Sequence, residues 1–343
     1  MQDDPAQTLL AWYDANARAL PWRQRRDAYA IWLSEVMLQQ TTVAAVVPYY
    51  TRFMERWPTV FDLADAAVED VMTEWAGLGY YARARNLHAC AQTVAHWRQG
   101  RFPETEAGLL DLPGIGVYTA AAVAAIAFGE KAVVVDGNVE RVMARLFAVT
   151  DPLPQAKTRL KQLAAGLTPA VRPGDYAQAV MDLGATLCSP RAPACGLCPW
   201  RSLCQANRLG IAERLPAKAE KPPKPIRHGV AYWLTDRQGR VLLRRRPPTG
   251  LLGGMMEVPG SAWLDTPPAD PAAEAPVAAA WRPLPGLVRH TFTHFQLELT
   301  MMAAKARPAD RPAGLWVELD RLGEQALPTV MRKLVRHALA KAY

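Results

Sequence analysis

The chain has no apolar run long enough to cross a bilayer. Its longest, such as Ala120–Phe128, fall well short of the roughly 20 residues that a spanning helix needs, so no membrane role is expected. The start, Met-Gln-Asp-Asp-Pro, is acidic and polar and does not read as a secretory or transit leader. Acidic residues are the minority: 32 Asp and Glu against 40 Lys and Arg leave a net charge of +8. That balance suits polyanionic partners such as nucleic acid, although a generally basic, Arg-rich proteome would give the same figure. Strand-type alternation is missing from residues 1–210, where only Ala132–Val135 is β-branched enough to suggest a strand. Cysteine is scarce, with five in 343 residues, which makes a fold built on disulfides a poor alternative.

Four of those five cysteines share one window: Cys188, Cys195, Cys198 and Cys204, spaced C-x6-C-x2-C-x5-C. Thiolates this close can enclose a soft metal centre, either one iron–sulfur cubane or one zinc. A reducing cytoplasm suits such ligands. Cys90 lies mid-helix and reads as a small buried hydrophobe.

The length allows two domains of ordinary size, and a composition of 50% hydrophobic and 21% charged residues is that of a globular protein. Residues 1–210 read as helices punctuated by Gly and Pro: Thr8–Leu20, Asp27–Thr42, Val43–Trp57, Ala66–Trp75, Ala82–Arg98, Val117–Phe128, Val139–Thr150 and Ala177–Leu187. Leu215–Arg227 is Lys/Pro-rich and aperiodic, a linker signature. Strands are then expected at Val230–Thr235, Arg240–Arg244, Leu287–Thr291, Phe295–Met301 and Leu315–Glu318, with a closing helix at Met331–Ala340 and a loop at Thr266–Pro276.

Three groups of residues can carry chemistry. In Leu-Pro-Gly-Ile-Gly-Val (112–117), Gly114 and Gly116 allow a tight turn and close approach of the backbone. Amides at the start of the following helix can then grip a phosphate, although an ordinary helix corner fits as well. Twenty residues beyond Gly116, Asp136 sits in Val-Asp-Gly-Asn-Val, either capping a helix or presenting its charge to a cleft. Glu35 is flanked at helical spacing by Ile31, Trp32, Leu38 and Gln39. Apolar neighbours raise a carboxyl pKa and suit a general acid; a structural glutamate is the plainer alternative.

Taken together, LPGIG-x-Y, VDGNV and the four-cysteine loop resemble the helix-hairpin-helix, Gly/Pro-Asp superfamily of DNA glycosylases, whose prototype is endonuclease III. Leu20-Pro-Trp-Arg, the Glu35 segment and Gly77-Leu-Gly-Tyr-Tyr-Ala-Arg-Ala-Arg-Asn-Leu narrow the resemblance to the MutY family of adenine DNA glycosylases. The resemblance implies a mainly α N-terminal region followed by an α+β Nudix-like domain. Residues 1–211 would form the glycosylase region, with a six-helix barrel over about 24–130. The N-terminal helix with 131–211 would form the module carrying a [4Fe–4S] cluster on the four cysteines. Residues 212–227 would be the linker and 228–343 the Nudix-like domain.

The same resemblance implies site roles. Glu35 would protonate adenine, Asp136 would stabilise the sugar cation, and Tyr118 and Asn138 would arrange the site. Trp22, Arg23 and Asp182 would line the adenine pocket, while Gln40, Tyr80, Gly114, Gly116 and Arg191 would meet DNA. Thr293, His294 and Phe295 stand where the family reads 8-oxoguanine with Phe-Ser-His; Thr293 keeps the hydroxyl and adds a methyl. Bifunctional relatives carry a lysine as the seventh residue from the leading leucine of the hairpin. Here that position is Tyr118, so water rather than an amine is the expected nucleophile. The tail's Thr249–Gly260 echoes a Nudix opening, but the Pro/Ala-rich Ser261–Pro276 has no glutamate-rich helix to hold Mg²⁺, which argues against diphosphate hydrolysis.

The expected partner is duplex DNA with adenine opposite 8-oxoguanine or guanine, met by a cytoplasmic bacterial monomer. The alternatives are an endonuclease III-like glycosylase/lyase for oxidised pyrimidines, disfavoured by Tyr118, and a non-catalytic DNA-binding protein, disfavoured by the pairing of Glu35 with Asp136.

Overall fold

The computed structural model describes residues 4–220, 222–307 and 311–341. The chain forms two compact units. One takes Met1–Asp65 with Asn86–Lys221, the other Ala66–Arg85 with Pro222–Tyr343. Compactness therefore assigns the short stretch Ala66–Arg85, helical in texture, to the unit that holds the sheet.

The first unit is helical. At its centre is Ala28–Leu38, in which every side chain from Tyr29 to Met37 is buried, as its nearly all-round apolar sequence requires. Asp27 caps it by accepting from the Ala30 amide at 2.9 Å. It packs against Val117–Phe128, whose alanine-rich face admits close helix approach. Gly129, at φ 72°, ends that helix in the left-handed cap that glycine favours. Gly137–Leu146 and Pro173–Thr186 pack on each other and complete the surroundings of the site.

Among the described residues, the second unit holds six strands: β1 (Ile226–Thr235), β2 (Val241–Arg245), β3 (Met256–Glu257), β4 (Arg282–Thr291), β5 (Gln296–Lys305) and β6 (Leu315–Val317). The order is β3-β2-β1-β5-β4, with β6 also on β2, and only the β1–β5 pair is parallel. β1 is buried continuously from Val230 to Thr235, as a central strand covered on both faces should be. The helix Thr329–Lys341 packs on β4.

The helical and strand textures follow the expected order, and in keeping with the missing alternation Ala132–Val135 forms no strand. The helices Val60–Asp65, Glu106–Leu110 and Lys157–Leu167 had no counterpart in the sequence reading. The Lys/Pro-rich segment is not free along its length: the Leu153 amide donates to Ala217 O (2.9 Å), Leu215 is buried, and β1 begins at Ile226. Composition reports solubility and stiffness, not which backbone groups find partners.

Candidate active site

Glu35 lies in the middle of the central helix and is 5% exposed. Burial pushes its carboxyl up to about 7. The Tyr118 hydrogen bond works against that rise, and the charge of Asp136 adds to it. The Tyr118 phenol donates to Glu35 Oε2 at 2.7 Å. Burial and the nearby carboxylates hold that phenol well above its ordinary pKa, so it stays a donor. Gln39 donates through Nε2 to Thr119 Oγ1 at 3.0 Å, tying the central helix to the one that begins after the hairpin.

Asp136 takes the capping role that its position allows. It caps Gly137–Leu146, Oδ1 accepting from the amides of Asn138 (2.9 Å) and Val139 (2.8 Å) and Oδ2 from Asn138 Nδ2 (2.8 Å). Burial pushes its pKa upward against those hydrogen bonds, and it ends above the ordinary aspartate value. Asn138 is packed against Gly184, where an added Cβ would stand 2.7 Å from the Asn138 Cβ. Arg141 Nη2 donates to Asn138 Oδ1 (2.8 Å) and Gly184 O (2.6 Å), and its Nε donates to Cys188 O (2.8 Å). Two carboxyls of unequal environment thus share one site: one buried against a phenol, the other held by amides.

Asp182 is fully buried and accepts from Arg23 (2.6 and 2.8 Å) and from Arg18 Nε (2.5 Å). Burial alone would raise its pKa, but the bonds and charges of Arg23 and Arg18 carry it below the ordinary range. Asp182 therefore anchors two arginines. The charge of Arg23 is felt at Glu35. Trp22 is buried and meets Tyr50 edge to face at 5.5 Å.

Gly114 has φ +73°, and a Cβ there would lie 2.4 Å from the Asn86 Cβ, so both conformation and space require glycine. Gly116 is exposed at the N-cap of Val117–Phe128, a helix start able to receive an anion. Gln40, in the same unit, is held at φ 56°, and Tyr80, in the second unit, at φ 47°. Non-glycine residues in this region cost of order 1–3 kcal/mol and concentrate at functional positions. Arg191 is exposed on the cysteine loop, its carbonyl accepting from Ser189 Oγ at 2.8 Å.

All four clustered cysteines line one cavity together with Arg145. Arg145, 2% exposed, donates to Cys188 Sγ (3.2 Å), Ser189 O (2.7 Å), Pro190 O (3.1 Å) and Leu215 O (3.0 Å). Burial pushes the Cys198 thiol up to about 11 and raises that of Cys204. Among the described residues no three such ligands converge on a single ion. A zinc would draw its sulfurs to about 2.3 Å from one point, whereas a cluster presents separate iron corners to sulfurs set around a volume. Four thiols lining one cavity are a donor set that either centre accepts.

In the second unit Thr293 sits in the turn between β4 and β5, closed by the Phe292 amide donating to Phe295 O at 2.9 Å. Its hydroxyl is 2.8 Å from that of Tyr80. His294 is exposed, and Phe295 stacks with Phe292 at 4.8 Å. Tyr80, Phe292, Thr293, His294 and Phe295 line a cavity of about 560 Å³. Sequence reading missed Arg18, Arg141 and Arg145. The four-residue spacing of the last two, one helix face just after Asp136, was the available signal.

Residues 33–168 match the profile of the HhH-GPD superfamily of base excision DNA repair proteins, and residues 230–337 that of the NUDIX domain. Human adenine DNA glycosylase is 37% identical over 96% of this chain and 73% of its own length. The adenine DNA glycosylase of Mycolicibacterium smegmatis is 43% identical over 57% of this chain and 68% of its own. Among solved structures, a thermostable thymine-DNA glycosylase is 32% identical with a TM-score of 0.54, covering 60% of this chain and 95% of that one. A trapped endonuclease III–DNA intermediate, 23% identical with a TM-score of 0.52 over 60% of this chain and 95% of that one, shares the fold. With a helical HhH-GPD region, a Nudix-like sheet domain and the human relative matching over nearly its whole length, the chain belongs to the adenine DNA glycosylases, enzymes of base excision repair.

Proposed function

We propose that this glycosylase hydrolyses the N-glycosidic bond of adenine paired with 8-oxoguanine or guanine in duplex DNA, and stops at the abasic site. The observation that carries the reading is the buried Glu35 carboxyl, pushed up to about 7 and hydrogen-bonded to Tyr118. Such a carboxyl keeps a proton near neutral pH and can deliver it to adenine N7. The C–N bond then breaks with its electron pair leaving on adenine. Asp136 faces the cationic sugar as the stabilising carboxylate, and water adds to C1′, its surplus proton passing to one of the two carboxylates. Trp22 and the Arg23–Asp182 pair border the extruded base, with Asn138 fixing Asp136.

Gly114, Gly116, Arg191 and Gln40 contact the DNA backbone and the vacated stack. Tyr80, Thr293, His294 and Phe295 read the base opposite adenine. Cys188, Cys195, Cys198 and Cys204 would hold a [4Fe–4S] cluster. When bound, it supplies order to the cysteine loop, whose Arg191 and Arg201 present positive charge to phosphates, rather than electrons, since hydrolysis consumes none.

Single-turnover excision on duplexes with adenine opposite 8-oxoguanine, guanine or thymine tests this. Excision favouring 8-oxoguanine, with strand breaks only after hot alkali, is expected. Breaks without alkali would reveal a lyase, and equal rates on all three duplexes would remove the mispair specificity.

A further inference from the structure

Between the helix Val68–Trp75 and the helix that starts at Ala82 runs a short segment with three left-handed residues: Gly77 (φ 119°), Gly79 (φ 75°) and Tyr80 (φ 47°). Two are glycines and carry no penalty. The tyrosine does, so neighbouring groups must fix it.

Arg83 provides that fixation. Its guanidinium carbon lies 5.1 Å from the Trp75 ring centroid and 5.7 Å from that of Tyr80. Its Nη2 donates to Leu78 O and Gly79 O, each at 3.2 Å. The indole of Trp75, itself fully buried, donates to the same Gly79 carbonyl at 3.1 Å. Arg83 is 9% exposed, and burial pushes its pKa down to about 10, so it remains a cation at neutral pH. Burying a cation costs free energy that a leucine or methionine of similar volume would avoid. What only arginine offers here is a planar fork that binds two carbonyls while its face meets two rings. The outcome is at the far end of the tyrosine: Tyr80, half exposed, places its hydroxyl 2.8 Å from Thr293 Oγ1.

We propose that Arg83 is a positioning residue: it locks Tyr80 in its left-handed conformation, so that the Tyr80 ring and the Thr293 hydroxyl meet the mispair as one preformed unit and set the preference for 8-oxoguanine. This rests on the reading of Tyr80 and Thr293 given above. A ring already fixed loses less freedom on binding than one that must be ordered by DNA.

The test compares single-turnover rates on A:8-oxoguanine and A:G duplexes for the full chain and for Arg83→Met, Tyr80→Ala and the double variant. Arg83→Met should lower the ratio of the two rates about tenfold, Arg83→Lys should not restore it, and Arg83→Met should add nothing in the Tyr80→Ala background. Gly79→Ala, at φ +75° with nothing within 4 Å of the new Cβ, strains the same segment without touching Arg83 and should give the same loss. Equal loss on both duplexes, or effects of Arg83 and Tyr80 that multiply, would mark Arg83 as purely structural and overturn the proposal. If Tyr80→Ala leaves the ratio unchanged, the reading of Tyr80 fails and the proposal with it. If Tyr80→Ala collapses the ratio and Arg83→Met does not, the role of Arg83 alone fails. Should Arg83→Met not fold, as judged by circular dichroism, Gly79→Ala decides: an unchanged ratio there also overturns the proposal.

Discussion

Tyr118 donates its phenol hydrogen to Glu35 Oε2 at 2.7 Å, so the position that holds the lyase lysine in bifunctional relatives is here bound to the candidate acid. The bond favours the ionised form of Glu35, while burial favours the neutral one, and burial is the larger influence.

Removing the acid should remove the reaction. Glu35→Gln keeps the shape and loses the transferable proton, and general acid catalysis is worth about 10²–10⁴-fold. Single-turnover excision should fall by at least about a hundredfold, while duplex affinity by gel shift stays within about threefold. A rate within tenfold of the parent would remove Glu35 from the chemistry.

The hydrogen bond makes a signed prediction. Because Tyr118 lowers the Glu35 pKa, Tyr118→Phe should raise it and move the alkaline fall of the excision rate to higher pH. In the parent that fall should centre near 7. A pH–rate profile of both proteins reads the difference, and a shift to lower pH would contradict the geometry.

Glu35 should also tie stability to pH. Its folded pKa of about 7 lies above the ordinary value of 4.5, so the folded state holds the proton more tightly than the unfolded state. Its contribution is fully present below pH 4.5 and is lost as pH rises through about 7, a loss of order 3 kcal/mol. Chemical denaturation across that range should show Glu35→Gln becoming more stable than the parent at the alkaline end; parallel curves would refute the linkage.

Asp182 holds two arginines with no exposure of its own. Asp182→Asn leaves two part-buried cations short of their counter-ion, and breaking such a pair costs about 3–5 kcal/mol. A fall in Tm is expected by calorimetry, accompanied by a lower Glu35 pKa in the pH–rate profile if Arg23 moves toward Glu35. An unchanged Tm would show that Asp182 bears no structural load.

Metal content separates the two centres that the cysteine spacing leaves open. Anaerobically purified protein should contain about four irons per chain and absorb in the visible, and Cys198→Ser should lower both. One zinc and no visible band would favour the alternative.

Much of the site was readable because its signals are local. The hairpin glycines, Asp136 ahead of a helix and Glu35 among apolar neighbours each depend on residues within a turn or two. What could not be read was long-range. Nothing near Asp182 announces that Arg18 and Arg23, about 160 positions earlier, would neutralise it. Nothing near Cys188 announces the Arg141 bridge to Asn138. The short helices were missed because segments of five or six residues carry too few periods to register, and the linker because prolines and lysines say nothing about the pairing of Ala217 with Leu153.

By itself the sequence determined the helical region, the β-rich tail, the grouping of four cysteines and the exchange of an amine for Tyr118, because period, composition and spacing are properties of the chain. The tertiary structure decided how acidic Glu35 is, which arginines answer Asp182, and that Tyr80 meets Thr293. Those are sums over groups distant in sequence, and burial, charge and hydrogen bonding exist only once the chain has brought them together.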